Sequence, residues 1–198
     1  MSVEDQRLIN GVIGAWVVAR DSGDWPTLRS CWHSDGRMKT TFYEGPATEF
    51  VDALRQQFDR GAVVHHLMGG THVEIQGARA IAQTKTVISQ RLVLHGVEVD
   101  ITCTGRFYDF FELRDAWRLV LREPIYEKDR IDPVDSNTSL DLDRTLLSGF
   151  PPGCRHLMYS QAQAGLAVRT NVAQLRGAEV EGLYAAGRRW LHGEGLER

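Results

Sequence analysis

Cysteine is scarce in this 198-residue sequence, and positive charge is not in excess. The three cysteines, Cys31, Cys103 and Cys154, are far apart and show no CxxC spacing, which argues against a disulfide framework and against a structural zinc motif. The 26 acidic and 23 basic residues are interspersed, so the chain lacks the positive field that nucleic-acid binding requires. The sequence therefore predicts buried thiols in a reducing compartment and no nucleic-acid partner.

Long hydrophobic runs are missing as well. The stretch MSVEDQRLIN is polar and acidic where a signal peptide would be basic and then apolar, and the uncharged run from Gly11 to Ala19 is too short to cross a bilayer. We therefore expect a cytoplasmic protein with no membrane partner.

Common catalytic and phosphate-binding motifs are also absent. The chain has no GxSxG, Walker or HExxH pattern, and its isolated Gly69-Gly70 pair lies in a predicted strand rather than before a helix. No metal site and no cofactor are predicted.

What the sequence does contain, in its first third, is apolar residues at helical spacing. Ser2 and Asp24 resemble N-caps of two successive helices, and Gly61 resembles the stop of a third. The predicted elements are a helix to about residue 20, a helix over 24–33, a strand over 37–43, an EGP turn, and a helix over 47–61.

From Ala62 onward the pattern changes to alternating β-branched and aromatic residues. Turn signals at Gln76-Gly77, His95-Gly96 and Arg114-Asp115 divide it into a four-strand antiparallel meander. Three of these strands are roughly three times the usual length, and strands that long twist and carry bulges. We predict an α+β fold, a cone-shaped α+β barrel whose curved antiparallel sheet wraps on three N-terminal helices around a cavity.

The rest of the chain is predicted to be a helical extension rather than a second domain. We divide the chain into a cone domain over 1–130 and an extension over 131–198, with helices near 140–148, 155–164 and 180–191. The extension is expected to pack over the mouth of the cone or against a second subunit. The aromatic outer strands and the long tail predict a homo-oligomer, either a dimer or a trimer.

Three histidines stand close together in the stretch VVHHLMGGTHVEI. Neighbouring strand residues point to opposite faces, so His65 and His66 cannot share a role. His66 and His72 are expected to share a face but lie roughly 20 Å apart, beyond the reach of one metal ion. One inward histidine remains, which is either an acid/base group or an ordinary core residue.

Three stretches in this order, ARDSGDWPTLRSCWHSDGR, HLMGG and GRFYDFFELRDAWRLVLR, resemble the SnoaL-like branch of the nuclear-transport-factor-2-like superfamily. The resemblance covers about Val3 to Asp129. Members of that branch include polyketide cyclases, scytalone dehydratase, hexachlorocyclohexane dehydrochlorinase, steroid isomerases, diarylpropane lyases and the small subunits of ring-hydroxylating dioxygenases. The resemblance implies the cone fold and, in its eliminating members, a histidine base oriented by an aspartate.

Matching the motifs assigns these roles to particular residues. The resemblance implies that His66 is the base, that Asp21 orients it, and that Arg122 on the last strand fills the third of the four polar catalytic positions of the dehydrochlorinase. The lysine that the dehydrochlorinase carries one turn before the aspartate is Trp16 here. The second histidine of the dehydratase falls near Gln90, which can bind a substrate oxygen but cannot act as a base.

The residue chemistry fits these roles but leaves alternatives open. An imidazole titrates near neutrality, and a carboxylate on one ring nitrogen frees the other to accept a proton. Asp21 also suits ordinary turn chemistry. The alternation of Trp117, Leu119 and Leu121 turns Arg122 away from the core unless a bulge intervenes.

The predicted function is a cofactor-independent lyase that acts on a small aromatic or cyclic substrate by proton abstraction and elimination of water, halide or an aldehyde. Alternatives are an isomerase or cyclase with the same base, and a non-catalytic scaffold similar to a dioxygenase small subunit. Further side chains expected at the cavity or its entrance are Trp16, Lys39, Tyr43, Tyr108, Asp109, Tyr126 and Asp129, of which Trp16, Lys39, Tyr43 and Tyr126 are predicted, with Gln90, to bind the substrate.

Overall fold

Three helices pack inside one curved sheet in the structure, a computed structural model that describes residues 2–196. The N-terminal elements are α1 (Val3–Ser22), α2 (Trp25–Ser30), β1 (Trp32–Lys39), β2 (Glu44–Pro46) and α3 (Ala47–Asp59). The long strands are β3 (Val63–Gln76), β4 (Arg79–Leu94), β5 (Val97–Leu113) and β6 (Trp117–Pro133). The predicted α+β class and the curved sheet on N-terminal helices are confirmed.

The N-terminal strands differ from the prediction in two places. β1 begins at Trp32 because Trp32 pairs with Leu119 of β6, whereas this stretch was predicted to be the end of a helix. The EGP segment, predicted as a turn, forms the short strand β2 along the edge of β1. The start of β1 depends on pairing with β6, far away in sequence, and β2 forms by pairing with the neighbouring β1.

The sheet has the strand order β2-β1-β6-β5-β4-β3. Neighbouring strands are antiparallel except β1 and β6, which run parallel. The predicted four-strand meander is therefore present, and β1 and β2 extend it at the β6 edge.

Bulges in β3 and β6 change which residues face the helices. In β3, Gly69 and Gly70 together oppose one residue of β4, so the side-chain alternation shifts by one position. His66 therefore faces inward, whereas the His72 side chain is 73 % exposed. The prediction that these two histidines share a face is wrong, because an extra residue lies between them.

The concave face of the sheet encloses the main core. Ile9, Ile13 and Trp16 form one buried face of α1 and pack with Phe107 and Phe111 of β5. α1 begins at the Ser2 cap and ends at Gly23, whose φ of 77° lies in the left-handed region that favours glycine. Asp21 and Arg20 thus lie in the last turn of the helix that packs deepest in the cone.

The C-terminal segment wraps both sides of the sheet through α4 (Arg144–Ser148), α5 (Arg155–Gln163) and α6 (Ala178–Leu191). α5 covers one end of the cone, where Leu157 and Met158 pack with Ile101 and Tyr126. The Asp129 carboxylate anchors this helix by accepting hydrogen bonds from the backbone N–H groups of His156 and Leu157.

α6 covers the convex face, where Leu183 and Trp190 pack on Tyr108 and Phe110. The aromatic outer strands that motivated the predicted homo-oligomer are thus covered within one chain, and the oligomer stays a prediction. Among residues 2–196, no helix is long and apolar enough to cross a membrane.

Candidate active site

A small cavity lies between α1, α3, the sheet and α5. Its volume is about 90 Å³, and its apolar wall includes Trp16, Phe42, Phe50 and Phe107. Its main polar side chains are Arg20, Gln57, His66, Gln90, Tyr126 and Gln161. An apolar wall with a few converging polar groups is typical of a small-molecule site.

A wider groove of about 550 Å³ adjoins the cavity between the end of α3, β4 and α5. Phe42, Gln57, Gln90 and Gln161 line both spaces. We call this groove the vestibule. Three amide side chains and one phenyl ring therefore border both the cavity and the vestibule.

The Asp21 carboxylate holds His66 at two points. One oxygen lies 2.8 Å from Nδ1 of the ring, and the other accepts a hydrogen bond of 2.6 Å from the His66 backbone N–H. Because a carboxylate accepts, Nδ1 carries the proton and Nε2 is left as the basic nitrogen. No other hydrogen bond to the ring occurs within residues 2–196. The ring is fixed in tautomer and direction, with its free nitrogen unengaged.

Burial lowers the pKa of His66 below its ordinary value. The hydrogen bond and negative charge of Asp21 oppose this shift, while Arg20 and Arg122 add to it. Burial by itself raises the pKa of Asp21, but the hydrogen bonds from His66 and the charges of His66 and Arg20 outweigh it, so the carboxyl pKa lies below its ordinary value. At neutral pH the pair is therefore a neutral imidazole and a carboxylate, which is the state that a general base requires.

Aromatic rings fix the His66 ring from the sides. The Trp16 ring meets it edge-on, with ring centroids 5.6 Å apart, and Phe107 lies 6.2 Å away. Trp16, which stands where the resemblance places the lysine of the dehydrochlorinase, thus packs against the His66 ring.

Arg122 faces the helices but does not line the cavity. Val120 is an extra residue in β6, and this bulge places Leu121 in the outer core and Arg122 in the inner one. The guanidinium is fully buried and makes two hydrogen bonds of 2.7 Å to Asp109. It lies 4.2 Å from the Trp16 ring centre and 4.3 Å from that of Phe107. The structure therefore places Arg122 behind the aromatic wall.

Three of the other predicted side chains do line the cavity, namely Trp16, Gln90 and Tyr126. Gln90 donates a hydrogen bond to Ser160 of α5, so its amide joins the sheet to the extension. Burial raises the pKa of Tyr126 well above its ordinary value, so its hydroxyl stays protonated.

Two of the predicted residues lie away from the cavity. Lys39 forms ion pairs with Glu44 and Glu123 in another groove. Tyr43 donates to the Pro46 carbonyl and packs on Phe50.

The remaining three residues expected at the cavity or its entrance serve packing and pairing elsewhere. Tyr108 lies under α6, Asp109 binds Arg122, and Asp129 caps α5.

Arg20 is the one charged cavity residue that the sequence analysis did not single out. It directly precedes Asp21, and its position in the last turn of α1 suits the negative end of a helix dipole. The available signal was its spacing of four residues from Trp16, which puts both on one helix face. Among residues 2–196, no three His, Cys, Asp or Glu side chains converge as a metal site.

The fold places this chain in the class of cone-shaped α+β proteins, here with a histidine–aspartate pair at the cavity. The chain belongs to the SnoaL-like domain family, which matches residues 1–123. The resemblance noted in the sequence is thereby confirmed.

Fungal relatives match most of the chain. Pea pathogenicity protein 2 of Fusarium vanettenii is 31 % identical over 194 residues, covering 92 % of this chain and 83 % of that protein. A PEP2-like protein of the same fungus is 32 % identical with the same coverage.

Solved structures share the fold. A hexachlorocyclohexane dehydrochlorinase superposes with a TM-score of 0.57 at 12 % identity, covering 72 % of this chain and 96 % of that one. A putative scytalone dehydratase from Novosphingobium aromaticivorans gives 0.55 at 11 % identity, covering 72 % and 95 %. At these identities the likeness concerns the nuclear-transport-factor-2-like fold alone.

Proposed function

We propose that this protein is a cofactor-independent lyase that eliminates a leaving group from a small aromatic or cyclic compound. The observation that carries the proposal is the His66–Asp21 pair, in which both carboxylate oxygens hold one histidine whose other ring nitrogen is free at a cavity. A buried, oriented and neutral imidazole is suited to accept a proton at neutral pH.

The chemistry needs only this pair and the substrate. Nε2 of His66 takes a proton from a carbon or hydroxyl of the substrate, and the freed electron pair forms a new double bond while the leaving group departs with its own bonding pair. Asp21 stabilises the imidazolium that forms. Return of the proton to the departing group, or to water, restores the neutral ring.

The cavity restricts how the substrate lies. An apolar cavity of roughly 150 Å³ holds benzene in another protein, so about 90 Å³ is small for a whole ring. The proposed arrangement has the reacting edge of the ring in the cavity and the remainder beyond Phe42 and Gln90, in the vestibule. This favours flat substrates with one reactive end.

The experiment that tests the proposal is a screen of halogenated, hydroxylated and hydroxymethyl-bearing cyclic compounds, with products identified by mass spectrometry. We expect loss of water, hydrogen halide or an aldehyde from one class. An unchanged molecular formula with solvent deuterium at a new carbon would instead identify an isomerase. The substrate found this way is then used with the variant His66→Ala, for which we expect turnover to fall at least about 10²-fold.

A matched control is available in the chain. Asp129 holds His156 as Asp21 holds His66, through the backbone N–H and through Nδ1 at 2.9 Å, but His156 does not line the cavity. His156→Ala should therefore keep most of the activity. Wild-type turnover in His66→Ala, with the fold intact by circular dichroism, removes the assignment of the base.

A further inference from the structure

Arg20 is a buried cation with little to neutralise it. The residue is 8 % exposed and lines the cavity beside His66. Within residues 2–196, its guanidinium has one ionic contact, 3.9 Å from Nη1 to the Asp21 carboxylate, and no hydrogen bond. A guanidinium carries five N–H donors, so most of its donor capacity is unused.

The one nearby carboxylate is already committed. Asp21 directs one oxygen to Nδ1 of His66 and the other to the His66 backbone N–H. The contrast with Arg122 is direct, because the Arg122 guanidinium has a carboxylate of its own in Asp109 at 2.7 Å. Arg20 thus keeps its positive charge at the cavity without a dedicated partner.

A purely structural role does not account for this placement. A cation in the last turn of a helix interacts favourably with the helix dipole from the surface, as the half-exposed Arg189 does in α6. Burying the charge is unfavourable unless something pairs with it. A buried guanidinium that lines a cavity and has no hydrogen-bond partner among residues 2–196 has donors available for a ligand.

We propose that Arg20 binds a negatively charged oxygen of the substrate, a carboxylate or a phenolate, beside the Nε2 face of His66. This inference rests on the proposed function, because it assigns a substrate class to the same cavity. The planar guanidinium matches a carboxylate in a two-bond fork. An anion held there also lies where negative charge develops when His66 removes a proton, so Arg20 stabilises that charge as well.

The test uses benzoate and its neutral analogue benzamide as probes of the full chain, with binding measured by calorimetry and by NMR of the His66 ring. We expect benzoate to bind the wild type and to lose at least tenfold in affinity in Arg20→Gln, with partial recovery in Arg20→Lys. Benzamide affinity should be the same in the wild type and in Arg20→Gln. Arg60→Gln, which removes an exposed arginine of the vestibule, is the matched control and should change benzoate affinity less than threefold.

A measurement on the wild type alone guards against a variant that does not fold. A bound anion near the ring favours the imidazolium, so saturation with benzoate should raise the His66 pKa measured by NMR. The proposal is overturned if benzoate does not bind the wild type, if binding leaves the His66 pKa unchanged, or if folded Arg20→Gln binds benzoate as the wild type does.

The two proposals fail separately. His66→Ala should still bind benzoate within about threefold of the wild type, because the anion contacts Arg20. If His66→Ala stays catalytically active while Arg20→Gln loses benzoate, the base assignment falls and the anion site stands. If His66→Ala is inactive while Arg20→Gln keeps full benzoate affinity, the anion site is rejected and the base assignment stands.

Discussion

The protonation of His66 is set by opposing effects at a single ring. Burial, with Arg20 and Arg122, lowers its pKa below the ordinary value, and Asp21 opposes them. His65 also lies near Asp21, at 3.6 Å, but its side chain is largely exposed to water. The balance leaves His66 neutral through the neutral pH range.

A pH profile of kcat/KM tests this balance. Since only the neutral ring accepts a proton, activity should rise with pH, reach half its maximum below the ordinary histidine pKa of 6.5, and stay level above it. A midpoint above 6.5 would contradict the burial of a neutral base.

The same shift predicts how stability depends on pH. The folded pKa lies below the unfolded one, so the unfolded chain binds the proton first as pH falls. The contribution of His66 to folding is therefore present above about 6.5 and is lost as pH falls through the folded pKa. Urea unfolding of the wild type and of His66→Ala should differ least at the acidic end.

Replacing Asp21 by Asn tests how the base is held. The ring and the backbone N–H donate to different oxygens of Asp21, and an amide has only one accepting atom, so one of the two positions becomes an NH2 donor. We expect the plateau of kcat/KM to fall about 10²- to 10⁴-fold. The acidic limb should move to lower pH, because a negative charge that raised the His66 pKa has gone. A plateau unchanged in Asp21→Asn would contradict the orienting role.

Among the individual residues, the roles of His66 and Asp21 could be predicted from the sequence only through resemblance to a family. Residue chemistry alone left two alternatives open, namely an ordinary turn role for Asp21 and core packing for His66. Arg20 was missed because its neighbours in sequence suggest an ordinary helix end, and its lack of a partner is visible only in three dimensions. The pairing of Arg122 with Asp109 was missed because it depends on the register between β5 and β6.

Among the elements, the strand pattern was predicted, whereas the positions of the bulges were not. Turn residues such as Gly77 and Gly96, with φ of 59° and 80°, mark the strand ends in the sequence itself. A bulge is defined by two residues opposing one on another strand, so its position depends on the partner strand; Gly69-Gly70 is a local signal for the β3 bulge, whereas Val120 gives none for the β6 bulge. The bulges at Gly69-Gly70 and Val120 decide which side His72 and Arg122 face.

The packing of α6 on the sheet can be tested by a substitution in the helix. A side-chain carbon at Gly187 would lie 1.9 Å from the Tyr108 hydroxyl, so Gly187 lets α6 approach Tyr108 of β5 closely. Gly187→Val should destabilise the protein by about 1–3 kcal/mol, measured by urea unfolding.

Gly182→Ala in the same helix is the matched control. The added side-chain carbon at position 182 meets no atom within 4 Å, so this substitution should stabilise the protein by up to about 1 kcal/mol through helix propensity. Equal unfolding midpoints for the two variants would show that α6 does not dock as described.

For the molecule as a whole, the C-terminal segment completes two cores. Removing residues after 177 takes away α6 and uncovers Tyr108 and Phe110 on the convex face. Removing residues after 133 also uncovers Ile101 and Tyr126 beneath α5. We expect the shorter chain to aggregate or bind a hydrophobic dye strongly, and the longer one to do so less. A monomeric, dye-negative 1–133 chain would show that the cone is self-sufficient.

The roof over the cavity and the base beneath it come from different stretches of polypeptide. His66 and Asp21 lie within the 123 residues that match the family, whereas Leu157 and Gln161 reach the cavity from beyond that boundary. If the proposed function holds, substitutions confined to the last third of the chain would change which compound fits beneath α5 while leaving the His66–Asp21 pair in place.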